Sequence, residues 1–375
     1  MRNVDAAGLG IGDDYPTRIM GVLNVSKESP YDPSVFDDPG EAATYVDEQL
    51  IDEGADIVDV GLESANKKFE VLSPEGELER LETAVETIAS VSGDAVFSIE
   101  TRYHEVAEAA LDAGFDMVND ICGFADPEMP RVCEEYDVAV GKMASPPDLE
   151  RPGAVEDVDD IYDALAMNGI TDKTIVDPAF GGWSEAKTLA DDRETFDRLR
   201  EFRGYGQPIL VSINRKNFLR DLAGRSTEAA LPVSLAATAM AIERGAHVVR
   251  THDVRETLDA AKIGDRFTPS RLRDEDVGVE ELDVRTPGDA ARHFDRLAAD
   301  GDPDAATTRV FELSGLSDEE RAALDTLAEE RDGLTVAAGP GGTLLIGTVA
   351  ALRGAVSAAE LPVRARLDAI AASLP

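Results

Sequence analysis

The chain has 375 residues, enough for one barrel of about 250 residues and a further unit of about 100. Asp and Glu total 76 against 36 Lys and Arg, a formal net charge of −40, which argues against nucleic acid as a bulk partner because a polyanion would be repelled. Two cysteines, Cys122 and Cys133, without a CxxC or Cys/His cluster argue against a disulfide framework or a structural zinc site.

Thr17 to Val25 reads as the first strand and Gly40 to Glu53, with apolar residues at helical spacing, as the first helix. Asp56 to Gly61 is the second strand, and Pro74 opens a helix through about Ser90, placed where its missing N–H costs nothing. Ala95 to Glu100 is a strand leading into a helix near Glu105 to Ala113. Phe115 to Asp120, Val138 to Met143, Thr174 to Asp177, Pro208 to Asn214 and His247 to Thr251 complete a set of eight strands with helical patterns between them. Ser145 to Val158, Pro-rich and acidic, reads as an exposed loop before a helix at Asp159 to Asn168. Continuous apolar strands alternating with helices describe an α/β fold, a (β/α)8 TIM barrel over residues 17–267 behind an N-terminal extension, 1–16.

Residues 268–286 read as a linker, and 287–375 as a small C-terminal α/β unit. That unit shows a helix (Asp289 to Asp300), a strand (Arg309 to Ser314), a helix (Ser317 to Arg331), two strands (Leu334 to Ala338, Thr343 to Val349) and a helix to the end. Its GPGG, Gly339 to Gly342, lies between two apolar runs and reads as a hairpin turn, and the unit is assigned no chemistry. The carboxylates are spread among periodic apolar positions, which suits a folded acidic surface of the kind that stays soluble in high salt. No apolar stretch approaches the 18 or so residues of a membrane span, and the start lacks a basic n-region and an h-region, so a soluble, cytoplasmic protein is expected.

Each strand ends in polar residues: Asn24, Gly61 with Glu63 just beyond, Glu100, Asn119 with Asp120, Lys142, Asp177, Asn214 with Lys216, and Arg250 with His252. In a barrel of this kind the active site lies where the strands end. Of eight lysines, Lys27, Lys67, Lys68, Lys142, Lys187 and Lys216 fall at or just past a strand end, and a positive mouth on so acidic a chain suits an anionic substrate. Residues two apart on a strand face one way, so Asn214 and Lys216 are expected to share a space, as are Arg250 and His252, a pair suited to phosphate oxygens. Asp177, held extended by Pro178, suits a planar ring with adjacent N–H donors, and Asn119 another edge of such a ring. Asp120 is expected to cap the following turn, Glu63 to brace its loop, Cys122 and Cys133 to be core, His104 and His293 to be surface, and Trp183 to pack.

The stretches IMGVLNVSKES, GADIVDVGLES, FSIET, FDMVNDICG, TIVDPAFGG, PILVSINRKNF and GAHVVRTHDV, in this order, resemble the pterin-binding barrel family, and most closely the dihydropteroate synthases. The resemblance covers about residues 17 to 266. It implies condensation of a 6-hydroxymethyl-dihydropterin pyrophosphate with p-aminobenzoate in folate biosynthesis, with Mg2+ assisting departure of pyrophosphate. By resemblance Asn24 would contact Mg2+ and the pyrophosphate, while Arg250 and His252 would bind the phosphates. Glu100, Asn119 and Asp177 would hold the pterin, Met143 would line its pocket, and Lys216 would reach the ring and the second substrate. Family members commonly dimerise through outer helices.

Departures are visible. The loop after the first strand, Ser26 to Ser34, lacks the family's glycines and Phe, and the loop after the second, Leu62 to Lys68, lacks its Thr-Arg pair. The third strand ends in Glu100 where the family has Asp, and the segment that usually carries Met-His-Met reads Gly141, Lys142, Met143, Ala144. Three readings follow: a divergent synthase in which Lys67 or Lys68 replaces the lost Arg, a paralogue with another acceptor or methyl-transfer chemistry, and a non-catalytic pterin-binding protein. The first is preferred, and retention of the phosphate-binding set argues against the third.

Overall fold

A computed structural model describes the whole chain except residues 26–33, 64–70, 182, 183, 185, 275, 359–362 and 375. Two compact units are present: Met1–Phe202 with Gly206–Ser270, and Arg271–Pro375 with Arg203–Tyr205.

The first unit begins with a hairpin, β1 (Val4–Ala6) and β2 (Leu9–Ile11). Eight parallel strands follow: β3 (Arg18–Asn24), β4 (Ile57–Gly61), β5 (Val96–Thr101), β6 (Met117–Asp120), β7 (Ala139–Met143), β8 (Thr174–Asp177), β9 (Leu210–Val211) and β10 (Val248–Thr251). Neighbours pair in the order β8-β7-β6-β5-β4-β3-β10-β9, and a parallel bridge between Val176 and Ile209 joins the two ends of the sheet. Between the strands run α1 (Pro39–Tyr45, continuing as a π-helical segment Val46–Ile51), α2 (Pro74–Ser90), α3 (His104–Asp112), α4 (Met129–Glu135), α5 (Val158–Ala166), α6 (Leu189–Asp197), α7 (Asn217–Ala223), α8 (Leu231–Glu243) and α9 (Val254–Phe267). The TIM barrel expected from the sequence is therefore the fold of this unit.

Strand residues two apart share a face, and the barrel interior is built in layers by that rule. Its lowest layer takes one apolar side chain from every strand: Met20, Ile57, Val96, Met117, Ala139, Ile175, Leu210 and Val248. Val4, Ala6 and Ile11 of the hairpin pack beneath them, so residues read from sequence as an extension close the base of the barrel. Local signals set the helix starts. Pro74 stands in the first turn of α2 behind Ser73, whose side chain accepts from the Gly76 N–H, and Thr188 with Asp191 forms a capping box on α6.

Two expectations are corrected here. Pro208 to Asn214 is a strand only at Leu210–Val211, because the chain turns at Asn214 and Arg215, the latter at φ +52° with its guanidinium on Asp253. Asn214 and Lys216 therefore do not alternate along one strand. Lys142 is not on the rim. Gly141 and Met143 face inward, so Lys142 faces out of the barrel wall, where its Nζ donates to the Met167 and Gly169 carbonyls at 2.5 and 2.7 Å over the Phe124 ring. Burial draws its pKa down to about 8, against the pull of Asp120.

The second unit has a short hairpin, β11 (Arg273–Asp274) with β12 (Val279–Glu280), inside the segment read as linker. Beyond it come α10 (Pro287–Leu297), β13 (Thr308–Leu313), α11 (Asp318–Glu329), β14 (Leu334–Gly339), β15 (Gly342–Thr348), α12 (Val349–Ala358) and α13 (Arg364–Ala371). The antiparallel sheet has the order β13-β15-β14, with Gly339 paired to Gly342 across the expected hairpin turn. Leu313, Leu324, Leu327, Leu334, Leu345 and Leu352 belong to a core of the unit's own. His293, expected at the surface, is buried in α10. No helix among the described residues is long and apolar enough to cross a membrane.

Candidate active site

Above the apolar base, the second interior layer is polar. Asp59, fully buried on β4, accepts from Asn119 Nδ2 at 3.0 Å and from Arg250 Nε at 2.7 Å on the same oxygen, Oδ2. Arg250 Nη2 reaches on to Glu100 Oε2 at 2.5 Å. One guanidinium thus spans two carboxylates from different strands, and an Asn amide is fixed by one of them. Asp59 Oδ1 and Ser98 Oγ are buried in this layer without a hydrogen-bond partner among the described residues, so the floor carries more polar capacity than it uses on itself.

Gly141 makes room for this arrangement. A methyl there would lie 2.8 Å from Asn119 Oδ1, closer than van der Waals contact allows. Gly141→Ala is accordingly expected to push the Asn119 amide off Asp59, costing about 1–3 kcal/mol of stability. Ligand affinity at the cavity should weaken with it, and calorimetric titration alongside thermal unfolding reads both effects.

Over the floor lies a cavity of about 200 Å³ lined by Glu100, Asn119, Met143, Asp177, Lys216 and Arg250, with Ile121, Phe180, Ser212, Pro152 and Gly153 among the remaining walls. Asp177 Oδ1 accepts from the Ala179 N–H at 2.8 Å, and burial pushes its carboxyl up to about 6 against the pull of that N–H, Lys216 and Arg250. Burial likewise raises Glu100, opposed by Arg250. For Arg250, burial would draw the pKa down, but Glu100 and Asp59 more than offset it and keep the guanidinium charged. Lys216, the residue preceding α7, is lowered by burial and partly restored by Asp177. His252 is pushed down to about 4 by burial and then by Arg250, so near neutrality it stands as an uncharged imidazole.

The structure brings Glu100, Asn119, Met143, Asp177, Lys216 and Arg250 to one cavity, with His252 close enough to feel Arg250 and Lys216. Asn214 is not part of it. It donates from Nδ2 to Asp253 at 2.9 Å, and Ser212 takes the inward position instead. Lys27, Lys67, Lys68 and Trp183 lie outside the described residues. Lys187 is buried and donates to the Ala179 carbonyl at 2.6 Å, bracing the turn after β8. Asp120 accepts from the Cys122 and Phe124 N–H groups at 2.7 Å each, the turn cap expected, and Glu63 accepts from the Leu72 N–H at 3.1 Å within its loop. The loop read as exposed, Ser145 to Val158, supplies Pro152 and Gly153 to the cavity wall.

Two residues were not singled out from the sequence. Asp59 lies two positions before Gly61, and a carboxylate inside an otherwise apolar strand was its signal. Arg102 follows β5 and had none.

Asn24 is buried at the end of β3, its Nδ2 donating to Ser34 Oγ at 2.8 Å, which leaves Oδ1 turned the other way. Gly61 keeps a space there, since a methyl on it would meet Asn24 Oδ1 at 3.4 Å and Glu100 Oε1 at 3.5 Å. Two hard oxygens, one neutral and one from a carboxyl, fit a magnesium-type ion that takes most of its shell from phosphate and water.

A barrel whose strand ends gather a buried carboxylate, an amide, a lysine and a doubly paired arginine around one cavity has its polar groups where barrels of this kind carry their active sites. The family model described as pterin binding enzyme matches residues 20–252, and the chain belongs to that family. It is 34% identical over 256 residues to the dihydropteroate synthase of Clostridium beijerinckii, covering 66% of this chain and 93% of that protein. It is 36% identical over 275 residues, 69% of this chain, to a probable bifunctional folylpolyglutamate synthase/dihydropteroate synthase of Haloferax volcanii. The chain spans about a third of that relative's length, 32%. Among solved structures, a dihydropteroate synthase from Coxiella burnetii in complex with pteroic acid is similar with a TM-score of 0.59 at 28% identity, covering 70% of this chain and 98% of that one. The barrel is thus of the dihydropteroate synthase type.

Proposed function

We propose that this protein joins a 6-hydroxymethyl-dihydropterin pyrophosphate to p-aminobenzoate, releasing pyrophosphate, as a step of folate biosynthesis. The observation that carries the reading is the cavity itself, where a buried carboxylate and a fixed amide stand beside two cations, Lys216 and Arg250. The pteroic acid bound to the Coxiella burnetii relative joins the same two halves.

Asp177 accepts two hydrogen bonds from adjacent N–H groups of the pterin, while Asn119, held by Asp59, meets a further ring edge with its free lone pair. Arg250 and His252 receive the phosphates, Arg250 with the N–H groups not committed to Asp59 and Glu100. An uncharged His252 donates one N–H to a phosphate oxygen. The lone pair of the arylamine nitrogen forms the new C–N bond at the pterin methylene as the C–O bond breaks. The bonding pair leaves with pyrophosphate, and the proton that the amine sheds passes to solvent water. Asn24, with Glu100 nearby, would hold Mg2+, which when bound neutralises charge on the departing pyrophosphate. Lys216, beside Asp177, reaches the ring and the second substrate, so the chain's own contribution is electrostatic and orienting, with no nucleophilic side chain.

The test is pyrophosphate release by purified protein in high salt, which its acidic surface suits, with Mg2+, the pterin pyrophosphate and p-aminobenzoate. Release that requires both organic substrates is expected. Tight pterin binding without release would move the protein to another acceptor, and absence of both would overturn the reading.

A further inference from the structure

Among the described residues Arg102 is one of the largest fully buried side chains, yet it lines no part of the cavity. It stands just past β5, two residues beyond Glu100. Its Nη2 pairs with Glu63 Oε2 in the loop after β4, and its Nη1 donates to the Leu149 carbonyl in the loop after β7 at 2.8 Å. The next residue works beside it. Tyr103 Oη donates to the Leu72 carbonyl at 2.6 Å, and the Leu72 N–H returns to Glu63 Oε1 at 3.1 Å. Both feet of the 63–72 loop are therefore tied to consecutive residues at the end of one strand.

The Leu149 end leads directly to the cavity. Leu149 is also met by Cys122 Sγ at 3.8 Å, Ser145 Oγ bridges the Arg151 carbonyl and the Gly153 N–H at 3.3 Å each, and Pro152 and Gly153 form cavity wall. Burying a guanidinium is costly, and a buried ion pair adds little over well-packed apolar residues of the same volume. Stability alone therefore does not account for a charge here. What a planar fork does supply is direction, two donors fixed at an angle that aim at Glu63 and Leu149 at once.

We propose that Arg102 is a positioning residue: paired with Glu63 and the Leu149 carbonyl, it clasps the β7 loop against the cavity so that Pro152 and Gly153 close the wall around the pterin. The inference rests on the pterin reading above and deepens it. The clasp joins the loop after β4 to the loop after β7, so the site's shape depends on a side chain that never touches the substrate.

Glu63→Leu/Arg102→Met replaces the pair by apolar residues of similar size, avoiding a stranded charge. Arg102→Lys keeps the charge but loses the fork. Binding of the pterin pyrophosphate is followed by fluorescence quenching, with KM, kcat and thermal unfolding on the same proteins. In the double variant, Kd and the pterin KM are expected to rise about tenfold, equivalent to about 1.4 kcal/mol, with kcat within about threefold of wild type. Arg102→Lys should fall between. A folded double variant with wild-type Kd overturns the proposal. Should that variant not fold, wild-type Kd in Arg102→Lys overturns it equally, and raised Kd with unchanged kcat supports it. A wild-type protein that binds no pterin removes the functional reading instead, and this inference with it.

Discussion

Arg250→Met is expected to lower turnover by about 10³-fold, the scale on which loss of a charge-stabilising donor at a leaving group is felt. The same substitution should destabilise the fold by about 3–5 kcal/mol, because it leaves buried carboxylates without their cation. Asp59 would keep only the Asn119 amide on Oδ2, and Glu100 would face it across the space the guanidinium filled. The pH dependence follows in sign. With Arg250 gone, Glu100, which burial already raises, loses the cation that opposes that rise, so the folded state takes up a proton that the unfolded chain does not. Stability is then retained below the unfolded carboxylate pKa and lost as pH rises through the raised folded one. Thermal unfolding of the variant should therefore be worst near pH 8 and recover toward pH 5, and adding Asp59→Asn should restore stability without activity. Turnover within tenfold of wild type, or a melting profile unaffected by pH, would remove Arg250 from the centre of the site.

Asp177→Asn should weaken pterin binding by about 10²-fold or more, since two hydrogen bonds to a charged acceptor are exchanged for one to an amide and a clash of donors. Asp177 is held near 6 by burial. Wild-type affinity should thus be flat from pH 8 to about 6.5, then fall about tenfold per unit below 6 as the carboxyl takes a proton. The variant should lack that limb of the profile. A wild-type Kd constant down to pH 5 would show that the ionised carboxylate is not the pterin's partner.

Most of the cavity was legible because strand alternation is a strict rule. Glu100, Asn119, Asp177 and Arg250 end doubly buried strands, and each extends an apolar interior residue two or four positions earlier. The same rule, applied fully, turns Lys142 outward once Gly141 and Met143 are placed inside, and it brings Asp59 in beside Asn119. Asn214 was misplaced for a different reason. β9 stops at Val211, and the turn that follows is set by Arg215, whose grip on Asp253 depends on a residue just past the next strand. Arg102 lay beyond reach of pattern altogether, because its partners Glu63 and Leu149 come together only when three loops are folded.

The hairpin at the base has a consequence in time. Val4, Ala6 and Ile11 belong to one buried cluster with side chains from all eight strands, including Val248 on the last. Such contacts close the longest loops in the unit and are reached late in folding. The hairpin, which precedes every barrel strand in the sequence, thus finds its full seat only when the ring of strands, β10 included, is complete.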